Sequence, residues 1–178
     1  MTKTRSHHVH ASDEEIRGWF SGRLPDDWFT GALEITTDRD EILVTGTIAL
    51  PQIDDASAEA RDAAVGARIG GFREDTRQQR MKIAGEAQHR FGRTVSWGVV
   101  CADRRVAFTT LSVPAMTRLR QPERRVLDTL VEAGVARSRS HALAWCVRLV
   151  AERQDDWLHD LREALTQVEQ VRAEGPKD

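Results

Sequence analysis

The chain has 178 residues, 40% of them hydrophobic, and its 26 basic and 28 acidic side chains give a formal net charge of −2. This length suits one compact domain or two small ones. No apolar run approaches the roughly 20 residues that a membrane-spanning helix needs, and the N-terminus lacks the apolar centre of a signal peptide. Cys101 and Cys146 are isolated and have no metal-binding spacing. We therefore expect a cytoplasmic protein with no membrane partner and no disulfide framework.

Charge is distributed unevenly along the chain. Residues 1–60 contain 5 basic and 12 acidic side chains, residues 61–153 contain 18 and 9, and residues 154–178 contain 3 and 7. A basic middle between acidic ends indicates a polyanionic partner without specifying which one. Nearly all the basic residues are arginine, whose planar fork suits phosphate groups and guanine edges. A GC-rich coding sequence is an alternative explanation for the arginine excess, although not for its clustering.

The first elements that the pattern predicts are a short helix and a β-hairpin. Ser12 is a suitable N-cap for a helix that ends before Pro25. Two runs rich in β-forming residues, 32–37 and 41–48, flank a polar turn and predict the hairpin. Residues 1–11, which precede these elements, are expected to form a flexible tail.

A long helix is predicted next, from about Ser57 to about Phe91. Gly70 and Gly71 interrupt its apolar stripe, which favours a kink or a break into two helices at that point. Arginines on another face of this helix are candidates for an additional nucleic-acid contact. These residues are Arg73, Arg77 and Arg80.

A second hairpin is predicted over residues 94–100 and 105–111. The element order is then α-β-β-α-β-β, which predicts an α+β fold with a small antiparallel sheet and helices packed on one face. We assign this α+β domain to residues 12–112. Its role is open, and we expect it to bind an effector, a second protein or more nucleic acid.

Residues 118–148 have the pattern of two short helices joined by a glycine turn. Gly134 lies where a helix end favours a positive φ, and Ser138 is placed to cap the second helix. His141 stands three residues after the cap, where a glutamate often closes a capping box. Apolar residues three and four apart form one face of the first helix: Leu127, Leu130 and Val131.

This order of a short β-like segment, a helix, a glycine turn and a serine-capped helix resembles the ribbon-helix-helix DNA-binding family over about residues 115–150. The likeness is best in LDTLVEAGVARSRSHALAWCVRLV, from Leu127 to Val150. The resemblance implies a homodimer in which one strand from each chain pairs into an antiparallel ribbon that enters the major groove of double-stranded DNA. It places a dimerisation and DNA-binding module at residues 113–153.

The resemblance also implies roles for individual residues. Outward-facing ribbon side chains would contact base edges, and the backbone N–H groups at the start of the second helix would bind a phosphate. The base-contacting positions are then Met116, Arg118 and Arg120. The phosphate-binding positions are Ser138, Arg139 and Ser140. Ala115 and Thr117 occupy inward positions where larger aliphatic side chains are common in that family.

Residues 154–178 are expected to form an amphipathic helix and a tail. Such a helix offers a seam for a partner helix, as in a coiled coil, and packing back onto the same chain is the alternative. The helix that starts after Ser138 could also continue into this region. Apolar residues recur at spacings of three and four: Trp157, Leu158, Leu161, Leu165, Val168 and Val171.

Enzyme signatures are absent from the sequence, which has no glycine-rich phosphate loop, no nucleophile elbow and no paired-histidine zinc motif. We expect no cofactor and no metal, since His7, His8 and His10 lie on the predicted tail without a scaffold for a site. The sequence therefore predicts a non-enzymatic, dimeric DNA-binding protein that regulates transcription. Two alternatives are a dimeric interaction adaptor, and an RNA- or ribosome-associated protein that uses the basic central region.

Overall fold

The computed structural model describes residues 11–53 and 57–174, so all but the last residue of the predicted tail lies outside it. The chain divides into two compact units, Met1–Pro114 and Ala115–Asp178. The N-terminal unit is α+β, and the elements of the C-terminal unit are helices. Among the described residues, no helix is long and apolar enough to cross a membrane.

The N-terminal unit contains the predicted order of helices and strands. Ser12 Oγ accepts a hydrogen bond from the Glu15 N–H at 3.1 Å, so the predicted cap of the first helix is confirmed. Both hairpins form, although the last strand is shorter than residues 105–111. The elements are α1 (Asp13–Arg23), β1 (Glu34–Thr37), β2 (Glu41–Thr47), α2 (Ala58–Asp75), α3 (Arg77–Phe91), β3 (Thr94–Cys101) and β4 (Arg104–Ala107).

The sheet is mixed, so the prediction of an antiparallel sheet is wrong at its centre. Its strand order is β1-β2-β3-β4, and both hairpins pair antiparallel. β2 and β3 are parallel, with Ile42 opposite Val95 and Val44 opposite Trp97. The reason is the helical connection: α2 and α3 carry the chain back to the end of the sheet where β2 began, and such a crossover makes neighbouring strands parallel.

The predicted long helix is broken at Thr76, whereas Gly70 and Gly71 lie inside α2. Thr76 Oγ1 donates a hydrogen bond to the Phe72 carbonyl at 2.6 Å and accepts one from Arg80 Nε at 2.9 Å. A hydroxyl that bonds the carbonyl four residues back competes with the helix ladder and bends it. A buried polar contact, which the hydrophobic pattern does not reveal, therefore marks the break.

The core of the N-terminal unit lies between its helices and one face of the sheet. Phe20 of α1 and Ile83 of α3 are completely buried in the same cluster as Val44 and Trp97 of the sheet. The rings of Phe20 and Trp97 meet edge to face, with centroids 6.1 Å apart. Each such large side chain stabilises the fold by roughly 1.5–3 kcal/mol through burial.

The C-terminal unit contains α4 (Gln121–Glu132), α5 (Arg139–Arg153) and α6 (Asp155–Glu174). Gln154, with a φ of −124°, separates α5 from α6, so the two do not form one continuous helix. The described part of this unit contains no strand, so the ribbon expected from the sequence does not appear there. A strand exists only by pairing with a neighbour, and no described segment of this unit pairs with residues 115–120, hereafter the 115–120 segment.

Candidate nucleic-acid interface

α4 and α5 are joined by the glycine turn that the sequence predicts. Gly134 has a φ of +74°, in the left-handed region that glycine adopts without strain. The Ala136 N–H donates to the Leu130 carbonyl at 3.1 Å, which satisfies one of the last carbonyls of α4. Leu127 and Ala142 are buried with Ala136 at the centre of the pair. The turn therefore fixes where α5 begins.

The N-terminus of α5 is capped and faces no carboxylate of its own first turn. Ser138 Oγ accepts from the His141 N–H at 3.2 Å, and His141 Nδ1 accepts from the Arg137 N–H at 3.3 Å. His141 thus stands at the glutamate position of a capping box, but its side chain accepts from the N–H of the residue before the cap. The first N–H groups of the helix, those of Arg139 and Ser140, have no intrahelical acceptor. Together with the helix dipole they form a site suited to a phosphate.

The Arg139 side chain ties α5 to α4. Its Nε and Nη2 donate to the two carboxylate oxygens of Asp128 at 2.6 and 2.7 Å. These hydrogen bonds, more than the charge attraction, lower the pKa of the Asp128 carboxyl below its ordinary value. Asp128 thus stays ionised and offsets the positive charge of Arg139. The predicted phosphate contact of this guanidinium stays a prediction, and in the single chain the group bridges two helices.

The predicted base-contacting residues are all exposed in the 115–120 segment. Met116 is 99% exposed, and Arg118 and Arg120 are exposed. The alternate residues line a hollow of about 340 Å³, which Met116 also borders. Ala115 and Thr117 are themselves exposed, so within this segment only Leu119, which is half-buried, has the burial of an inward strand position. The residues that line the hollow include Ala115, Thr117, Leu119, Leu127 and Leu143.

The three arginines proposed as an additional contact belong to the N-terminal unit and differ in exposure. Arg73 and Arg77 are exposed, whereas Arg80 is only 6% exposed. Arg80 Nη2 donates to the Arg73 carbonyl at 2.7 Å, and its guanidinium lies 4.8 Å from the ring centroid of Phe108. Burial, and then the neighbouring Arg73, lower the pKa of Arg80. The side chain thus stabilises the junction of α2 and α3.

Sequence reasoning missed two residues of this interface. Leu119 packs against the buried centre of α4 and α5, and the alternation of Ala115 and Thr117 extended by two residues would have found it. Asp128 contacts Arg139 across the turn, eleven positions along the chain. That distance matches no helical or strand period, so no sequence signal pointed to the pair.

Charge divides the C-terminal unit into two parts. Residues 115–153 contain eight arginines and four carboxylates, whereas α6 contains two arginines and six carboxylates. The first part therefore attracts a polyanion and the second repels one. No group of three or more potential metal ligands occurs among the residues that the structure describes.

Comparison with known proteins identifies the family. Residues 14–107 match the model described as Rv1265-like protein, N-terminal domain, and residues 120–172 match the Mb1296 C-terminal domain. The chain belongs to the Rv1265-like family. Its relatives include uncharacterized protein Mb1296 of Mycobacterium bovis and uncharacterized proteins MT1303 and Rv1265 of Mycobacterium tuberculosis. Each is 49% identical over 187 aligned residues, which cover 97% of this chain and 81% of the relative. No solved structure matches the chain.

The family matches follow the division of the structure. Residues 108–119, between the two matched regions, contain the join between the units and most of the 115–120 segment. Because one relative aligns with nearly the whole chain, the two units occur together in Rv1265-like proteins. The names of these relatives assign no function. The resemblance to ribbon-helix-helix proteins therefore stays a prediction.

Proposed function

We propose that the C-terminal unit forms a symmetric homodimer that binds double-stranded DNA and regulates transcription. Two copies of the 115–120 segment pair as antiparallel strands, and the resulting ribbon enters the major groove. The observation that carries this proposal is the hollow of about 340 Å³ beside a segment that has no strand partner among the described residues. A second copy of the chain would supply the side chains that fill the hollow and the strand that pairs with the 115–120 segment.

The core of this unit is small for its length. Three hydrophobic side chains are buried among its described residues, which are Leu127, Ala136 and Ala142. Val126, Val147 and Val150 are 56%, 63% and 50% exposed. The hollow is an open depression lined in part by Leu119, Leu127 and Leu143, and exposed apolar surface of this kind favours a partner. The inward side chains of a second 115–120 segment have the chemistry to fill it.

The backbone of the 115–120 segment supports the same conclusion. The Leu119 carbonyl accepts from Arg124 Nη1 at 2.7 Å. For residues 115–118, no backbone hydrogen bond to another described residue occurs. An unpaired edge of this kind is a template for another chain. An antiparallel copy would satisfy alternate N–H and C=O groups along it.

The dimer would present a basic surface to DNA. Met116, Arg118 and Arg120 would lie on the outer face of the ribbon, where arginine can pair with the O6 and N7 atoms of guanine. The amides of Arg139 and Ser140 would bind phosphates on either side, which fixes the ribbon in the groove. The excess of four positive charges over residues 115–153 favours this partner.

The test is fluorescence anisotropy of a labelled random 30-base-pair duplex, titrated with the full chain across a salt series. We expect binding whose logarithmic affinity falls linearly and steeply with the logarithm of salt concentration. On a selected site, Arg118→Ala should lose about 1–3 kcal/mol of sequence discrimination. Arg39→Ala, which removes the same charge from a turn of the N-terminal unit, is the matched control and should retain that discrimination.

In the adaptor alternative the chain forms the same homodimer but does not bind DNA. It is favoured by one observation, the neutralisation of Arg139 by Asp128 at the expected phosphate site. The same titration separates the two functions. A homodimer that shows no affinity for duplex DNA even at low salt would contradict the proposed function and support the adaptor.

A further inference from the structure

The last helix, α6, leaves a second apolar surface of the C-terminal unit uncovered. We propose that α6 packs against the α6 helices of other copies and joins two of the proposed dimers into a tetramer. The inference rests on the proposed function only for the dimer that α6 would join. It does not require that the dimer bind DNA.

No residue of α6 is buried, although the helix is 20 residues long and described throughout. Large exposed apolar surface of this kind marks an interaction site. In proteins most of the stability of a helix comes from packing of its apolar face. The exposed fractions are 56% for Trp157, 41% for Leu161, 61% for Leu165, 45% for Val168 and 69% for Val171.

The arrangement of these side chains fits a helical bundle. The 3-4-3 spacing of a and d heptad positions is filled by Leu158, Leu161, Leu165 and Val168. The adjoining g positions are filled by Trp157, Ala164 and Val171. Two-stranded coiled coils need only the a and d stripe, whereas a face three positions wide in seven is typical of a bundle helix with two neighbours. Four copies of α6 provide those neighbours.

The charge of α6 argues against nucleic acid and against an anionic membrane as the partner of its apolar face. α6 carries six carboxylates and two arginines, a net charge of −4, so it repels nucleic acid and anionic lipid. Helices that lie on membranes have a basic polar face, which α6 lacks. The carboxylates of Asp156, Asp160 and Glu163 fall on b, c or f positions, away from the apolar face. In a bundle these carboxylates therefore stay in water, which weakens their mutual repulsion.

The flanking charges favour another α6 as the occupant. The e positions, which border the apolar face, hold Asp155, Arg162 and Glu169. A helix with one positive and two negative residues at this border can match Arg162 with a carboxylate of a copy. A wholly acidic or wholly basic border would point to a partner of the opposite charge instead. The border of the apolar face therefore carries both signs of charge, which allows one copy of α6 to pair with another.

The experiment is sedimentation equilibrium of the full chain and two matched variants. The wild-type chain of 20.0 kDa should sediment as a tetramer of about 80 kDa. Leu165→Glu places a charge on the apolar face and should halve the mass to a dimer. Thr166→Glu adds the same charge one residue away, at a b position, and should remain a tetramer. Because no residue of α6 is buried, neither substitution removes a buried contact within the chain.

A third variant should stabilise the tetramer. Arg172→Leu extends the apolar stripe by one a position, so its tetramer should persist at tenfold lower concentration than that of the wild type. A wild-type mass of one or two chains, or a Leu165→Glu variant that stays tetrameric, would overturn the proposal. Duplex binding is measured on the same samples. A tetramer without DNA affinity would contradict the proposed function and leave this inference standing.

Discussion

The N-terminal and C-terminal units differ in how completely a single chain can pack them. Among the described residues, 17 hydrophobic side chains form the buried core of the first unit and three form that of the second. Both units have amphipathic helices with capped ends. The apolar faces of the first have partners within the chain, whereas those of the second enclose a small buried centre between α4 and α5 and otherwise face a hollow or solvent. Good local helix signals therefore do not imply a complete tertiary core.

This difference has a thermodynamic consequence. Folding of the N-terminal unit should be independent of protein concentration. Folding of the C-terminal unit should be coupled to association, because an obligate dimer gains stability by mass action. The two units of one chain can therefore be distinguished by the same unfolding experiment at several concentrations.

The largest effect is expected from Phe20→Ala in the first unit. Phe20 is completely buried and contacts Trp97, so its truncation should lower the free energy of unfolding by about 3–5 kcal/mol. Urea unfolding at two concentrations should give the same loss. Leu50→Ala, at a residue that is 59% exposed, is the control and should cost less than about 0.5 kcal/mol. A loss that changes with concentration would contradict a core completed within one chain.

In the second unit, Leu119→Asp should break the proposed dimer. Burying an unpaired carboxylate costs several kcal/mol, so duplex affinity should fall on the order of a hundredfold. Anisotropy titration gives the affinity and sedimentation gives the mass. Leu50→Asp makes the same change at a residue of the N-terminal unit that is 59% exposed and should bind as the wild type does. If both variants lost the same duplex affinity, Leu119 would have no specific role in the proposed dimer.

Much of the fold was predictable from local pattern. The serine caps at Ser12 and Ser138 and the positive φ of Gly134 depend on neighbours a few residues away, and all three were predicted correctly. The parallel pairing of β2 with β3 depends on how a distant crossover returns, which periodicity does not encode. The burial of Arg80 under Phe108 is likewise a contact between distant segments.

The candidate site shows the same limit. Met116, Arg118 and Arg120 are exposed, but so are Ala115 and Thr117, so the roles that the sequence predicts for these residues stay predictions. The pairing of Asp128 with Arg139 was not predicted, because it joins two helices across a turn. A ribbon formed by two chains would not be visible in the structure of a single chain.

A smaller effect is expected from Asp128→Asn at the expected phosphate site. The substitution releases Arg139 and removes a negative charge, and one charge a few ångströms from a phosphate contributes about 1 kcal/mol in water. Duplex binding at low salt should therefore tighten by about fivefold. Glu132→Gln removes the same charge at the end of α4 and should tighten binding less. Weaker binding by Asp128→Asn would show instead that Asp128 positions Arg139 for the contact.

The smallest effect is the acid sensitivity of the N-terminal unit. The Arg105 guanidinium, hydrogen-bonded to Glu34, holds the pKa of that carboxyl below its ordinary value of 4.5. Stability from this pair is thus fully present above pH 4.5 and is lost as pH falls through the lowered folded-state pKa. Thermal unfolding between pH 3 and 7 should show a small decline at the acid end. Glu34→Gln and Arg105→Gln should each flatten it, and an unchanged profile in both would exclude the pair as its cause.

Hydrogen exchange of the 115–120 segment tests the central claim most directly. Mass spectrometry of a peptide spanning these residues would report their backbone amides at several protein concentrations. If the segment pairs with its copy, alternate amides should exchange far more slowly than in an unstructured peptide, and this protection should weaken on dilution. Exchange at the unstructured rate at every concentration would show that the segment has no partner and would contradict the dimeric ribbon.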